Sequence, residues 1–241
     1  MKQGIFRITS NKKIARDIFK MTLAGDTSAI TAPGQFVNIK LDGFFLRRPI
    51  SVCDCAGENL TLIYKTVGHG TEQMSRVKNG DELDLLTGLG NGYNTEASGG
   101  SPLLVGVPPM YMLCRELISE GKNVTVVLGF NSKDDVFYED EFRALGADVH
   151  IATADGTYGI KGFVTDVIKD MQYTFFYTCG PEPMFRAMHK IMKTPGQYSF
   201  EERMGCGFGA CMGCSCKTLT GNKRICKEGP VMESEEIIWA D

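Results

Sequence analysis

What the sequence lacks narrows what it can do. There is no excess of charge: 26 basic and 29 acidic side chains leave a formal net charge of −3. No Lys/Arg cluster stands out, so neither a nucleic acid nor an anionic membrane surface is expected as a partner. No apolar run approaches the roughly eighteen residues a membrane span requires. Met1-Lys2-Gln3-Gly4 leads straight into strand-like sequence without a signal-peptide core, so a cytoplasmic location is expected. Internal repeats and low-complexity tracts are missing too. With 43% hydrophobic and 23% charged residues over 241 positions, the chain reads as globular, with one large or two modest cores.

Cysteine, in contrast, is plentiful and unevenly spread. Five of nine cysteines fall in the last 36 residues. An odd count without a secretion signal argues against a disulfide framework, so the cluster points to metal. Cys206, Cys211 and Cys214 form C-x4-C-x2-C, and Cys226 follows. That spacing matches the plant-type [2Fe–2S] pattern, in which four thiolates hold two irons. Gly205, Gly207, Gly209 and Gly213 let the backbone wrap closely and aim N–H groups at sulfur. The competing reading is structural zinc, which prefers paired C-x2–4-C knuckles. Cys216 falls outside the pattern and is expected not to be a ligand.

Hydrophobic periodicity divides the chain into three zones, 1–97, 98–196 and 197–241. In the first, Val37, Ile39 and Leu41 alternate with Asn38 and Lys40, as in a half-buried strand. Leu60–Val67 and Asp81–Leu86 read as further strands, separated by Gly and Asn turns, which suggests a small antiparallel barrel. The second zone alternates strands (103–105, 124–130, 149–152, 174–178) with helices (109–120, 134–145, 162–169, 181–193). Such alternation calls for a parallel sheet covered on both faces. The third zone is too short for its own core and needs a metal staple. The fold class is therefore multidomain α+β: barrel, α/β domain, metal-bound tail.

Two barrel segments carry chemistry. Arg48-Pro49-Ile50-Ser51 places a guanidinium, suited to a pyrophosphate, near a hydroxyl that could meet a flavin ring nitrogen. Ile63-Tyr64-Lys65 then runs to a Gly turn, Gly68-His69-Gly70-Thr71, able to present N–H groups to phosphate. In the second zone Cys179-Gly180-Pro181 joins a strand end to a helix start, where α/β sheets bind ligands.

With Leu89-Gly90-Asn91-Gly92, Gly106-Val107-Pro108-Pro109 and the Cys206–Cys226 cluster, these motifs occur in one order that resembles the electron-transfer subunits of type 1B dihydroorotate dehydrogenases. That family lies within the ferredoxin–NADP reductase superfamily, and the resemblance spans essentially the whole chain. It implies an FAD-binding barrel, an NAD domain and a [2Fe–2S] subdomain. It assigns FAD to Arg48, Pro49, Ile50, Ser51, Ile63, Tyr64, Lys65, Gly70 and Thr71. It assigns the nicotinamide to Gly106, Cys179, Gly180 and Pro181, and the cluster to Cys206, Cys211, Cys214 and Cys226. It further implies a heterotetramer with an FMN-containing catalytic subunit. Electrons from dihydroorotate would pass through the cluster and FAD to NAD⁺ for pyrimidine (UMP) synthesis, with no catalytic acid or base in this chain. Another NAD(P)H:ferredoxin-type reductase subunit and a zinc-stabilised assembly protein are the alternatives. One departure stands out. The family carries a Gly-Gly-Gly-x insertion before Gly-Val-Pro-Pro, whereas here Val105 passes directly into Gly106. The sequence leaves open whether the nicotinamide site is altered or lost.

Overall fold

The computed structural model describes residues 1–239. Its first part is a closed antiparallel barrel of β1 (Lys2–Ala15), β2 (Ile18–Ala24), β3 (Phe36–Ile39), β4 (Arg48–Ala56), β5 (Asn59–Lys65) and β6 (Glu82–Leu89). The strands close in the order β1-β2-β5-β4-β3-β6. In β6, Leu83, Leu85, Thr87 and Leu89 are buried while the residues between them are less so, the period of a barrel wall.

Strand β3 breaks the expected alternation, because all four of its residues are buried. The cysteine-rich segment covers the face that the pattern left to solvent. Asn38 Nδ2 donates to the carbonyl of Cys206 at 3.3 Å, so the third zone is docked on the barrel. The Gly turn ending in Thr71 also proves longer than a turn: it opens helix α1 (His69–Arg76). Thr71 Oγ1 accepts from the Val67 and Gly68 N–H groups at 2.9 and 3.3 Å, which caps the first turn.

The second part contains β7 (Leu103–Val105), α2 (Met110–Ser119), β8 (Thr125–Phe130), α3 (Glu139–Leu145), β9 (Asp148–Thr153) and β10 (Ile160–Lys161). It continues with α4 (Val164–Ile168), β11 (Phe176–Cys179), α5 (Glu182–His189) and β12 (Gly196–Ser199). After these come a hairpin, β13 (Ser215–Thr218) and β14 (Gly221–Arg224), and a last strand, β15 (Val231–Glu233). The sheet order is β10-β9-β8-β7-β11-β12-β15, parallel throughout except where β15 pairs with β12. Every residue of β7 and β11 is buried, as expected for strands covered on both faces. The chain leaves β7 in one direction to build β8 and β9 and returns on its other side as β11. That reversal is a topological switch point, where open α/β sheets bind ligands. Among the described residues no helix is long and apolar enough to cross a membrane.

The expected helix over 134–145 is broken. Asp135 accepts from the Ser132 amide and hydroxyl at 3.2 and 2.9 Å, closing a short 3₁₀ turn over Lys133–Asp135. Tyr138 then takes a left-handed conformation (φ 68°) and buries its ring against Tyr111 and Phe142 before α3 begins. Core packing of one ring outweighs helical continuity there. Helix α5 ends at His189 rather than Lys193, because Ile191 and Met192 both donate to the Met188 carbonyl in a closing turn. The division at 196/197 falls inside β12, and β15 adds to the same sheet, so the tail is woven into the α/β domain at its edge.

Candidate functional site

Because β4 and β5 are antiparallel neighbours, the start of one and the end of the other lie side by side. Arg48, Pro49, Ile50, Ser51, Ile63, Tyr64, Lys65 and Thr71 accordingly line one cavity of about 530 Å³. Tyr64 is fixed in this wall: its ring stacks on Phe19 with centroids 5.8 Å apart, and its hydroxyl donates to Asn11 Oδ1 at 2.9 Å. Burial pushes its phenol up to about 12, so it stays protonated at neutral pH. Arg48 is half-buried, lies over the Phe44 ring, and donates to the Leu46 carbonyl at 2.5 Å. It enters no ion pair among the described residues and lines the cavity, as do Glu201 and Glu202. Gly70 lies beneath this guanidinium and not in the cavity wall. A Cβ there would come within 3.0 Å of Arg48 Cζ, so glycine is what allows the guanidinium to lie over the start of α1.

Phe36, Val107, Pro108, Met204 and Pro230 are among the further lining residues, and the sequence assigned none of them to the site. They come from distant segments that only the fold brings together. Val107 and Pro108 do belong to the Gly106–Pro109 motif, the one signal that could have found them.

A second cavity, of about 560 Å³, opens at the carboxyl ends of the parallel strands. Pro181 lines it, together with Asn131, Phe163 and Met184 of the α/β domain and Arg16, Ile18 and Lys65 of the barrel. Ile18, Lys65 and Phe137 line both cavities, which therefore meet at that threshold. Gly106, Cys179 and Gly180 are not lining residues of either cavity. They sit at the switch point, where Cys179 is 5% exposed and its thiol donates to the Val107 carbonyl at 3.2 Å. Burial, and then the charge of Glu201, raise this thiol well above its ordinary pKa. It is a neutral thiol directly behind the Val107 wall of the 530 Å³ cavity.

The tail cysteines meet as two pairs. Cys206 Sγ accepts from the Ala210 and Cys211 N–H groups at 3.2 and 3.4 Å, and Cys211 Sγ from Gly213 at 3.5 Å. The Cys226 N–H donates to Cys214 Sγ at 3.4 Å. Burial raises the Cys206 thiol, but backbone N–H groups of Cys211, Phe208 and Ala210 outweigh it and bring its pKa down to about 6. Burial and the adjacent Cys214 thiol push Cys226 up to about 12. One pair faces out, with Cys211 exposed, while Cys214 and Cys226 are 3% and 2% exposed. Among the described residues the four thiols stand as two pairs and not as one gathered set of three or more ligands; their C-x4-C-x2-C spacing is that of a [2Fe–2S] site. Cys216 packs against Met232, Sγ to Sδ 4.0 Å, at the edge of the core that holds Cys214 and Cys226.

The barrel joined to a doubly wound sheet, with a cavity at their seam, is the architecture of ferredoxin–NADP reductases. A ferredoxin NADP⁺ reductase from Neisseria gonorrhoeae, solved with FAD and NADP, superposes with a TM-score of 0.68 over 79% of this chain and 92% of its own, at 15% identity. The NADH-dependent reduced ferredoxin–NADP oxidoreductase, solved for insight into flavin-based electron bifurcation, gives a TM-score of 0.88 at 28% identity over 98% of this chain and 90% of that one. Family models match as well: an oxidoreductase NAD-binding domain over residues 105–190, and the iron–sulfur cluster binding domain of dihydroorotate dehydrogenase B over 201–238. Electron transfer subunits of dihydroorotate dehydrogenase B (NAD(+)) from Bacillus pumilus and Fusobacterium nucleatum are 44% and 42% identical, covering 98% and 95% of this chain and 98% and 96% of their own. The chain belongs to the family of dihydroorotate dehydrogenase B electron transfer subunits.

Proposed function

We propose that this chain is the flavin- and iron–sulfur-bearing subunit of an NAD-dependent dihydroorotate dehydrogenase. It carries electrons taken from dihydroorotate at the FMN of a catalytic subunit to NAD⁺, in the synthesis of pyrimidine nucleotides, and assembles with that subunit as a heterotetramer. The observation that carries the reading is a shared wall: Phe36 lines the flavin cavity and packs in the same core as the inward thiols Cys214 and Cys226. FAD supplies the one chemistry able to join the two ends, since it exchanges hydride with a nicotinamide and single electrons with an iron–sulfur cluster.

The protein's own part is to bind, orient and insulate. Arg48 and the first turn of α1, with Gly70 and Thr71, take the FAD phosphates. Ser51, Ile63, Tyr64 and Lys65 flank the ring system, and Pro49 and Ile50 shape its edge. Cys206, Cys211, Cys214 and Cys226 would hold the [2Fe–2S] cluster, which would supply one-electron transfer. Gly106, Cys179, Gly180 and Pro181 bring the nicotinamide to the switch point. We place the division between the second and third units after β12, at about residue 200, because β12 is paired along its length with β11.

The high TM-score with the ferredoxin–NADP oxidoreductase favours a second reading, a small subunit of another reductase of this build. A reconstitution separates the two. Mixed with an FMN-containing dihydroorotate dehydrogenase subunit, the chain is expected to copurify with it and confer dihydroorotate-dependent NAD⁺ reduction that neither component shows alone. Transfer to ferredoxin with no response to dihydroorotate would overturn the first reading.

A further inference from the structure

The motif Leu89-Gly90-Asn91-Gly92 runs out of β6 and lines neither cavity, yet it is where the tail is fastened to the barrel. Leu89 packs in the same core as Cys214 and Cys226, and Gly90 lies against Pro230. Asn91 makes the polar connection. Its backbone N–H donates to the Gly229 carbonyl at 2.7 Å. Its Nδ2 donates to the carbonyls of Glu228 at 3.1 Å and Val231 at 2.7 Å, and its Oδ1 accepts from the Val231 N–H at 3.0 Å. One side chain thus satisfies backbone groups on both sides of Pro230, which has no N–H of its own and lines the 530 Å³ cavity. Asn38, which ties the barrel to Cys206, makes one such bond at 3.3 Å.

The turn that carries Cys226 is stiff in itself. The Arg224 carbonyl accepts from the N–H groups of Lys227, Glu228 and Gly229 at 3.0, 2.9 and 3.3 Å. The Glu228 carboxylate accepts from the Arg224 N–H and Nε at 2.8 and 2.9 Å. Arg224 also donates to the Gly209 carbonyl at 2.7 Å, which binds this turn to the loop between Cys206 and Cys211. A turn braced in this way moves as a unit, so its place against the barrel is decided where Asn91 grips it. On the α/β side the Phe200 N–H donates to the Pro230 carbonyl at 2.9 Å and β15 pairs with β12, contacts that leave the distance to the barrel open. We infer that Asn91 is a positioning residue for the passage of electrons between the two cofactors: by fixing Glu228–Val231 against the end of β6, it sets the separation between the Cys226 thiol and the wall of the flavin cavity. The inference rests on the cofactor reading above and gives the motif after β6 its role.

The test uses the FAD- and cluster-loaded chain without a catalytic subunit. Stopped-flow absorbance reads flavin reduction by NADH, and freeze-quench paramagnetic resonance reads the reduction of the iron–sulfur centre that follows. Hydrogen exchange with mass spectrometry reads the amides of 227–231. In Asn91→Ala, FAD and iron should stay stoichiometric and the NADH step should keep its rate. The amides of 227–231 should exchange faster, and the second step should slow about ten-fold, a misplacement of ~1 Å being able to cost up to ~100-fold. Asn91→Ser keeps a hydroxyl for one of the side-chain bonds and should lose less. A merely structural role predicts that both variants lose FAD or iron, or that the second step keeps its rate in the loaded variants, and either result overturns the inference. So does a second step that slows only in proportion to the NADH step, or slows with the exchange of 227–231 unchanged. If NADH fails to reduce the flavin of the unaltered chain, the function proposed above falls. Flash photoreduction of the bound FAD then supplies the electrons, and the same comparison of the second step decides the inference.

Discussion

Replacing Cys211 by Ser is expected to remove the iron–sulfur chromophore and leave the flavin in place. Cys211 is the exposed member of its pair, so the substitution takes away a sulfur donor without opening a cavity or stranding a polar group in a core. Loss of a partner that merely orients a ligand typically costs 10–100-fold in metal affinity, and loss of the ligand itself costs more. The cluster absorbance and its iron should therefore disappear while FAD stays stoichiometric. NADH should still reduce the flavin, whereas dihydroorotate-dependent NAD⁺ reduction in the reconstituted complex falls to background. Cys216→Ser is the matched control and should keep both chromophores, because the Cys216 thiol is turned to Met232 and lies outside the C-x4-C-x2-C spacing. Iron retained in Cys211→Ser but lost in Cys216→Ser would mean that the ligand set had been drawn wrongly.

The second large effect belongs to Gly106. Its φ of 108° lies in a region that L side chains rarely adopt, and a Cβ would press on the Cys179 carbonyl and come within 3.1 Å of its sulfur. Both atoms sit where β7 and β11 part, so neither can move without separating the two central strands. Backbone strain of about 1–3 kcal/mol and overpacking of about 1–3 kcal/mol act together in Gly106→Ala. For a chain of this size that lowers the melting temperature by roughly 10 °C. The displaced Cys179 stands behind the flavin cavity, so the NADH reduction rate should fall as well, while the iron content, held elsewhere, is maintained. A Gly106→Ala protein with unchanged melting and unchanged NADH reduction would show that the turn is looser than the structure describes.

Much of this architecture could be read from residue order because its signals are local. The period of β6, the apolar β7 and β8, and the C-x4-C-x2-C spacing each declare an element within a dozen residues. What escaped was long-range. Asn38 looks like the polar face of a half-exposed strand, and nothing near it announces that Cys206, far along the chain, lies over it. β12 is four residues with no periodicity of their own, defined by pairing with β11. Tyr138 interrupts a run with good helical spacing because its ring has a buried place between Tyr111 and Phe142. The same division applies to the site. The motif residues Arg48–Ser51 and Ile63–Lys65 were visible, but Phe36, Met204 and Pro230 become walls of one cavity only once the tail folds back on the barrel. The glycine-poor turn at Val105–Pro108 was legible as a departure.

The most direct measurement of the central claim is an anaerobic titration of the purified chain with NADH, followed by absorbance and low-temperature electron paramagnetic resonance. The account predicts that the flavin bleaches and that the same additions bring up the signal of a reduced [2Fe–2S] centre bound by this chain alone. A flavin that bleaches while the iron–sulfur centre stays oxidised and silent, or a preparation whose metal is zinc, would contradict it.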